Sequence, residues 1–302
     1  MYAQIDSNRH KTWILIAIFI GLIAAAGWVY GYVVTDSGPL GLEIALAISL
    51  GMTLISWFAG DKIALATNGA KELTDKSQFP MLWNVVENLA ITAGLPMPRV
   101  YIVNDPSPNA FATGRDPKHA SIAVTTGLLQ IMDRTELEGV ISHEMSHIKN
   151  LDSRVMMIVI VLVGTLTIIG DSFLRFGLIG GRGRGRRNDG GLGIVFLLVG
   201  LAFLILSPFI GQLIKLAISR KREYLADASG ALLTRYPEGL ASALKKIETA
   251  NVPMKHVSGA TNHLWISEPT SRDFRSRISG LFSTHPPIED RIKRLVAMED
   301  NR

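Results

Sequence analysis

Four long apolar blocks punctuate this chain, and the polar stretches between them carry shorter periodic patterns. The first block runs from Trp13 to Val34 without a charge, long enough to span a bilayer as a helix. Trp13 at one end and Trp28, Tyr30 and Tyr32 at the other fit interfacial aromatic belts. Arg9, Lys11 and Ala24-Ala25-Ala26 also allow a cleaved signal peptide, but the apolar run continues well past the alanines and predicts an anchor. The second block, Leu40 to Ala59, follows the turn-forming Thr35-Asp36-Ser37-Gly38-Pro39, so the pair reads as a tight hairpin. The third, Val155 to Gly170, spans only if Ser172, Phe173 and Leu174 extend it past Asp171. The fourth runs from Leu192 to Ile214 and should kink at Pro208.

Between the blocks the pattern changes period. Residues 61–154 read as an α+β half-domain. Phe79, Leu82, Val86, Leu89 and Ala90 predict a helix over Phe79–Ala93, stopped by Gly94. Arg99–Val103 and Ser121–Thr125 read as short strands. Thr135 with Glu138 predicts a capping box at the start of the next helix. Residues 215–302 read as mostly helical, with helices over Lys221–Leu233, Glu238–Ala250 and Pro286–Met298. The expected organisation is a membrane hairpin in 1–60, a half-domain in 61–154, a second membrane or re-entrant hairpin in 155–214 and a second half-domain in 215–302.

Composition strengthens the membrane reading. Of 302 residues 48% are hydrophobic and only 19% charged, and the mean hydropathy is positive. There is no cysteine, which excludes disulfides and thiolate metal ligands. The charge of +5 matters by its position. Arg9, Lys11, Lys62, Lys71, Lys149, Arg154, Lys215, Arg220, Lys221 and Arg222 flank the block ends and fall on one side if all four blocks cross, which makes that side cytoplasmic. Arg175, Arg182, Arg184, Arg186 and Arg187 would then lie outside, unless the last two blocks form a shallow hairpin. The run from Gly181 to Arg187 reads as a solvated loop near lipid headgroups and not as a nucleic-acid site.

The chemistry centres on His143-Glu144-Met145-Ser146-His147. Two histidines four apart on a helix share one face and can reach one metal ion, and the glutamate beside the first can act as a base toward water. Two histidines and an acid buried merely as core residues would each need a polar partner, which makes simple packing a poor account. A catalytic zinc takes three protein ligands. Glu223 is the best further candidate, because two apolar blocks separate it from His147 and return the chain to the side it left. It reads from spacing equally as a surface carboxylate paired with Arg222 or Arg220. Asp227, one turn on, can orient a ligand histidine or lie on the helix surface. His285 can point into a site; His119, His256 and His263 have no supporting neighbours in sequence.

Taken together, the two N-terminal blocks, Asn109-Ala110-Phe111-Ala112-Thr113-Gly114, His143-Glu144-x-x-His147, the second apolar pair, Glu223-Tyr224-x-Ala226-Asp227 and Ser283-Thr284-His285-Pro286 resemble the HtpX-type membrane zinc metallopeptidases, relatives of the CAAX prenyl endopeptidases. The resemblance covers nearly the whole chain. It implies a mostly α protein with a small β-sheet, about four transmembrane helices, and a zincin-like (gluzincin) domain split around the second hairpin. It implies one zinc per subunit held by His143, His147 and Glu223, with Glu144 as general base. Asn109, Ala110, Phe111 and Ala112 would line the substrate cleft as an edge strand, and His285 would lie near the oxyanion. The implied task is cytoplasm-facing proteolysis of damaged membrane proteins in the cell membrane, linked to stress. Prenylated C-termini are the alternative substrate. A non-catalytic scaffold predicts a damaged motif, and this one is intact. A transporter predicts charges in mid-block, which are nearly absent.

Overall fold

The computed structural model describes residues 2–35, 37–180, 220–255, 261–267 and 286–299. The fourth apolar block, the loop from Gly181 to Arg187, His256 and His285 lie outside the described residues. The chain divides into two compact units, one drawn from Met1–Arg9, Asp61–Met157 and Ala217–Arg302, the other from His10–Gly60 and Ile158–Leu216.

Among the described residues the second unit is helical. Helix α1 covers Tyr2–Thr35 and α2 covers Gly38–Thr67. Gly27, Gly31 and Gly41 let these helices touch backbone to backbone, the small-residue packing that suits helices in lipid. Trp13 stacks on Trp57 with ring centres 6.1 Å apart. Apolar side chains such as Ile44, Leu54, Phe58 and Ile168 stay exposed, which a bilayer tolerates and water does not. Among the described residues, three helical stretches are long and apolar enough to cross a membrane: Gln4–Tyr32, Gly38–Thr67 and Asp152–Arg175.

The first unit holds a four-stranded sheet beside packed helices. The strands are β1 (Ala70–Glu72), β2 (Arg99–Val103), β3 (Ala110–Thr113) and β4 (Ser121–Thr125), in the order β1-β2-β4-β3. β2 and β4 are parallel, with Tyr101 opposite Ala123; β1 on β2 and β3 on β4 are antiparallel. The two strands expected from pattern are β2 and β4. Helix α3, Pro80–Ala93, starts with Pro at its first turn and ends at Gly94, whose φ of 67° gives a left-handed cap. Its buried face, including Leu82, Val85, Val86 and Leu89, packs into the core with Val100, Ile122 and Val124.

After the short helix α4 (Thr126–Ile131) comes α5, Arg134–Lys149, which carries the histidine motif. Its capping box differs from the sequence expectation. Asp133 is the N-cap: its Oδ1 accepts the Glu136 N–H at 2.9 Å, and Glu136 Oε2 accepts the Asp133 N–H at 2.9 Å. Thr135 instead donates to Asp133, and Glu138 pairs with Arg134. A carboxylate at Asp133 out-competes the threonine hydroxyl as an acceptor, and Lys246 fixes the Glu136 carboxylate from the next layer at 2.6 Å. Leu137, Val140, Ile141 and Met145 on α5 are buried to 1% exposure or less, each contributing about 1.5–3 kcal/mol.

Helix α6 covers Asp152–Gly180, and the final helices are α7 (Arg220–Thr234), α8 (Pro237–Ala250) and α9 (Ile288–Glu299). Gly139 on α5 lies against the backbone of α8, where a β-carbon would sit 2.6 Å from the Leu240 nitrogen. Gly139→Ala must therefore force these helices apart. A loss of about 1–3 kcal/mol is expected, read as a lower thermal midpoint; an unchanged midpoint would contradict so close a crossing.

Candidate metal centre

The site is assembled where α5 meets α7. Gly230 makes this approach possible: a β-carbon there would come within 2.9 Å of Ser142 Oγ and 3.0 Å of the His143 nitrogen. The contact brings Glu223, on the first turn of α7, opposite the two histidines. The residues are far apart in the chain, yet His143 is 1% exposed, Glu144 2% and Glu223 4%, and His147 is half-buried. Glu223 is therefore no surface carboxylate, and Arg222 is turned toward Asp152.

Three donor residues converge. The Nε2 atoms of His143 and His147 are 3.1 Å apart. Glu223 Oε2 is 3.7 Å from His143 Nε2, and Glu223 Oε1 is 3.5 Å from His147 Nε2. Corners of a tetrahedron around an ion with metal–nitrogen distances of about 2.0–2.1 Å are about 3.3 Å apart, so this donor set fits a tetrahedral metal. His143, His147 and Glu223 form the one such group among the described residues. The adjoining cavity of about 20 Å³ has room for a single water-sized molecule, and Glu144, Ala112 and His263 border it.

Each histidine is held from behind by a carboxylate. Asp227 Oδ1 lies 2.9 Å from His143 Nδ1, and Asp152 Oδ2 lies 3.0 Å from His147 Nδ1. Such partners keep a proton on Nδ1 and leave the Nε2 lone pair available to a metal. Asp227 was visible from its place one turn after Glu223. Asp152 was not. It follows His147 by five residues, off the helix face, and reaches back because Leu151 turns the chain with a φ of 59°. That left-handed conformation costs a non-glycine residue about 1–2 kcal/mol and here serves the site.

The carboxylates are in turn held by arginines. Arg291 of α9 donates to both oxygens of Asp227, at 2.9 and 2.7 Å, and to the Ile266 carbonyl at 3.2 Å. It also lies 3.7 Å from Glu223. Arg222 donates to Asp152 at 3.1 Å. Sequence reasoning missed Arg291, although a cation on the same helical face as Ile288 and Leu295 was a usable signal. It also set His263 aside; the turn Asn262–Leu264 brings that ring to the cavity, buried to 3% exposure. His119 is an exposed partner of Asp116.

These contacts set the protonation of the site. Burial drives the Glu144 carboxyl upward, and the nearby histidines restrain the rise. Burial opposes charge on His147, but the Asp152 hydrogen bond and the Glu223 carboxylate outweigh it and lift the metal-free ring to about 9; a metal bound at Nε2 would displace that proton. Burial also works against an ionised Asp227, yet the Arg291 charge and His143 hold it down to about 2.

Ala110, Phe111 and Ala112 lie on β3, the edge strand beside the cavity, and Asn109 immediately precedes it. Thr125 N–H donates to the Asn109 carbonyl, so by the alternation of an antiparallel ladder Ala110 and Ala112 direct their backbone groups outward. The Ala110 carbonyl is already taken by the Ile266 N–H at 3.0 Å. The Asn109 amide clasps Ser267, donating to its carbonyl at 2.9 Å and accepting its N–H at 3.2 Å. Phe111 packs edge-on against the fully buried Trp265. Of the four, Ala112 borders the cavity.

A histidine pair on a buried helix, a converging glutamate and helices suited to lipid define a metallopeptidase of the membrane. The comparisons agree. The chain belongs to peptidase family M48, whose profile matches residues 76–299. It is 47% identical over 298 residues to the protease HtpX homolog of Tropheryma whipplei (strain Twist), covering 99% of this chain and 98% of that protein. It is 46% identical over 303 residues to the protease HtpX homolog of Caldanaerobacter subterraneus subsp. tengcongensis, again covering 99% and 98%. In fold it is similar to the crystal structure of S. mikatae Ste24p, with a TM-score of 0.50 at 19% identity over 98% of this chain and 67% of that one. The protein is thus a metal-dependent endopeptidase, a hydrolase acting on protein substrates from a lipid bilayer.

Proposed function

We propose that the chain is a zinc endopeptidase of the cell membrane. In this reading His143, His147 and Glu223 hold one zinc ion, and Glu144 is the general base. The observation that carries it is the set of donor separations, 3.1, 3.5 and 3.7 Å, beside a buried glutamate. Zinc, when bound, supplies a Lewis acid that acidifies water and polarises the scissile carbonyl. Glu144, buried and raised in pKa, takes a proton from the attacking water and delivers it to the leaving amine. Asp227 and Asp152 keep both histidines in the ligating tautomer. Ala112 offers its outward backbone to an extended substrate strand. His285 would attend the oxyanion.

The peptidase domain is taken as 61–154 with 215–302, and the hairpins as 1–60 and 155–214. With four crossings the basic flanks put the site on the cytoplasmic side. There it would act on misfolded or damaged membrane proteins, in quality control and stress response. The test is metal content. Glu223→Ala should lose bound zinc by elemental analysis; full occupancy in that variant would remove Glu223 from the ligand set.

A further inference from the structure

We infer that Asn8, on the first turns of α1, is a positioning residue for the metal centre, acting through Asp152 on His147. Three observations carry this. Asn8 is fully buried, in the same compact unit as the histidine motif. Its Nδ2 donates to Asp152 Oδ1 at 2.7 Å and to the Asn150 carbonyl at 2.8 Å, which uses both amide hydrogens. Reversing the amide would set its oxygen against two acceptors, so the orientation is forced. Its Oδ1 accepts from Arg222 Nη1 at 3.4 Å, and the same nitrogen donates to Asp152 Oδ1 at 3.1 Å.

Asp152 thus has one oxygen fixed by Asn8 and Arg222 and the other, Oδ2, left for His147 Nδ1 at 3.0 Å. Asn8 also ties down Asn150, at the turn that swings Asp152 beneath His147. Without Asn8 the carboxylate loses a donor that sets its rotamer, the Asn150 carbonyl loses a partner, and His147 is less firmly aimed. Residues from the start of the chain therefore complete a site whose ligands lie more than a hundred residues later.

The inference rests on His147 being a metal ligand, and the experiment separates the two. Full-length Asn8→Ala, Asn8→Asp, Asp152→Ala, Asn8→Ala/Asp152→Ala and His147→Ala proteins are titrated with zinc against a chromophoric chelator, with thermal midpoints recorded in parallel. Asp152→Ala should weaken zinc binding about 10- to 100-fold and Asn8→Ala about tenfold. Asn8→Asp is isosteric, yet sets a carboxylate against Asp152, so it should weaken binding at least as much. The double variant should bind no more weakly than Asp152→Ala alone, since Asn8 acts through that residue. Parental affinity in both Asn8 variants, whatever their midpoints, would overturn the role, as would an additive double variant. Parental zinc affinity in His147→Ala would instead sink the ligand assignment.

Discussion

Glu144→Gln should keep its zinc and lose peptide hydrolysis by about 10²–10⁴-fold. The substitution conserves shape and removes only the capacity to accept a proton. Glu144 makes no metal contact in the proposed arrangement, so the donor set of His143, His147 and Glu223 stays intact. Its carboxyl is buried beside the cavity and raised in pKa by that burial. A base raised from the ordinary carboxylate range transfers protons more effectively near neutral pH, which is why the loss should be large. Cleavage of a membrane-protein substrate, measured with zinc content on the same preparation, decides the matter. Parental turnover in Glu144→Gln would remove that residue from the chemistry.

Arg291→Ala should be the most destabilising single change at the site. Arg291 is fully buried and saturates both oxygens of Asp227. Removing it strands a carboxylate that its charge holds at about 2. Breaking one side of such a buried pair costs about 3–5 kcal/mol, and each kcal/mol lowers the midpoint of a unit this large by roughly 2–4 °C. Zinc binding should weaken with it, because Asp227 then holds His143 less firmly. The Arg291→Met/Asp227→Asn pair removes both charges and should recover much of the stability but not the metal affinity. Thermal unfolding of the two variants in detergent tests this. If the double change is no more stable than Arg291→Ala, the stranded charge is not the cause.

What the sequence disclosed follows the range of each interaction. The helix of His143 and His147 is local, and its spacing needs no tertiary knowledge. β2 and β4 lie mostly inside the core and read clearly, whereas β1 is three residues, mostly exposed, with no pattern to detect. Asp227 was legible because one helical turn ties it to Glu223. Asp152 escaped because Leu151 adopts a left-handed turn that nothing in leucine's preferences announces. Asn8, Arg291 and His263 escaped because their partners are distant in the chain and near only after folding. The capping box slipped by two residues because Thr135 and Glu138 satisfy the same pattern as Asp133 and Glu136, and the contacts of Lys246 and Ser242 that favour the latter are distant in the chain.

The segment that clasps Asn109 and Ala110 has a bearing on what the enzyme can choose to cut. With those positions spoken for by Ser267 and Ile266, a substrate strand that added to β3, as proposed, would have the backbone of Ala112 and, among the described residues, little more of that strand to pair with. So short a handhold cannot read a long recognition sequence. It asks instead that a few residues be extended and free of their own hydrogen bonds, a condition that a folded loop fails and an unravelled one meets. On the proposed reading, discrimination then lies in the state of the substrate more than in its letters.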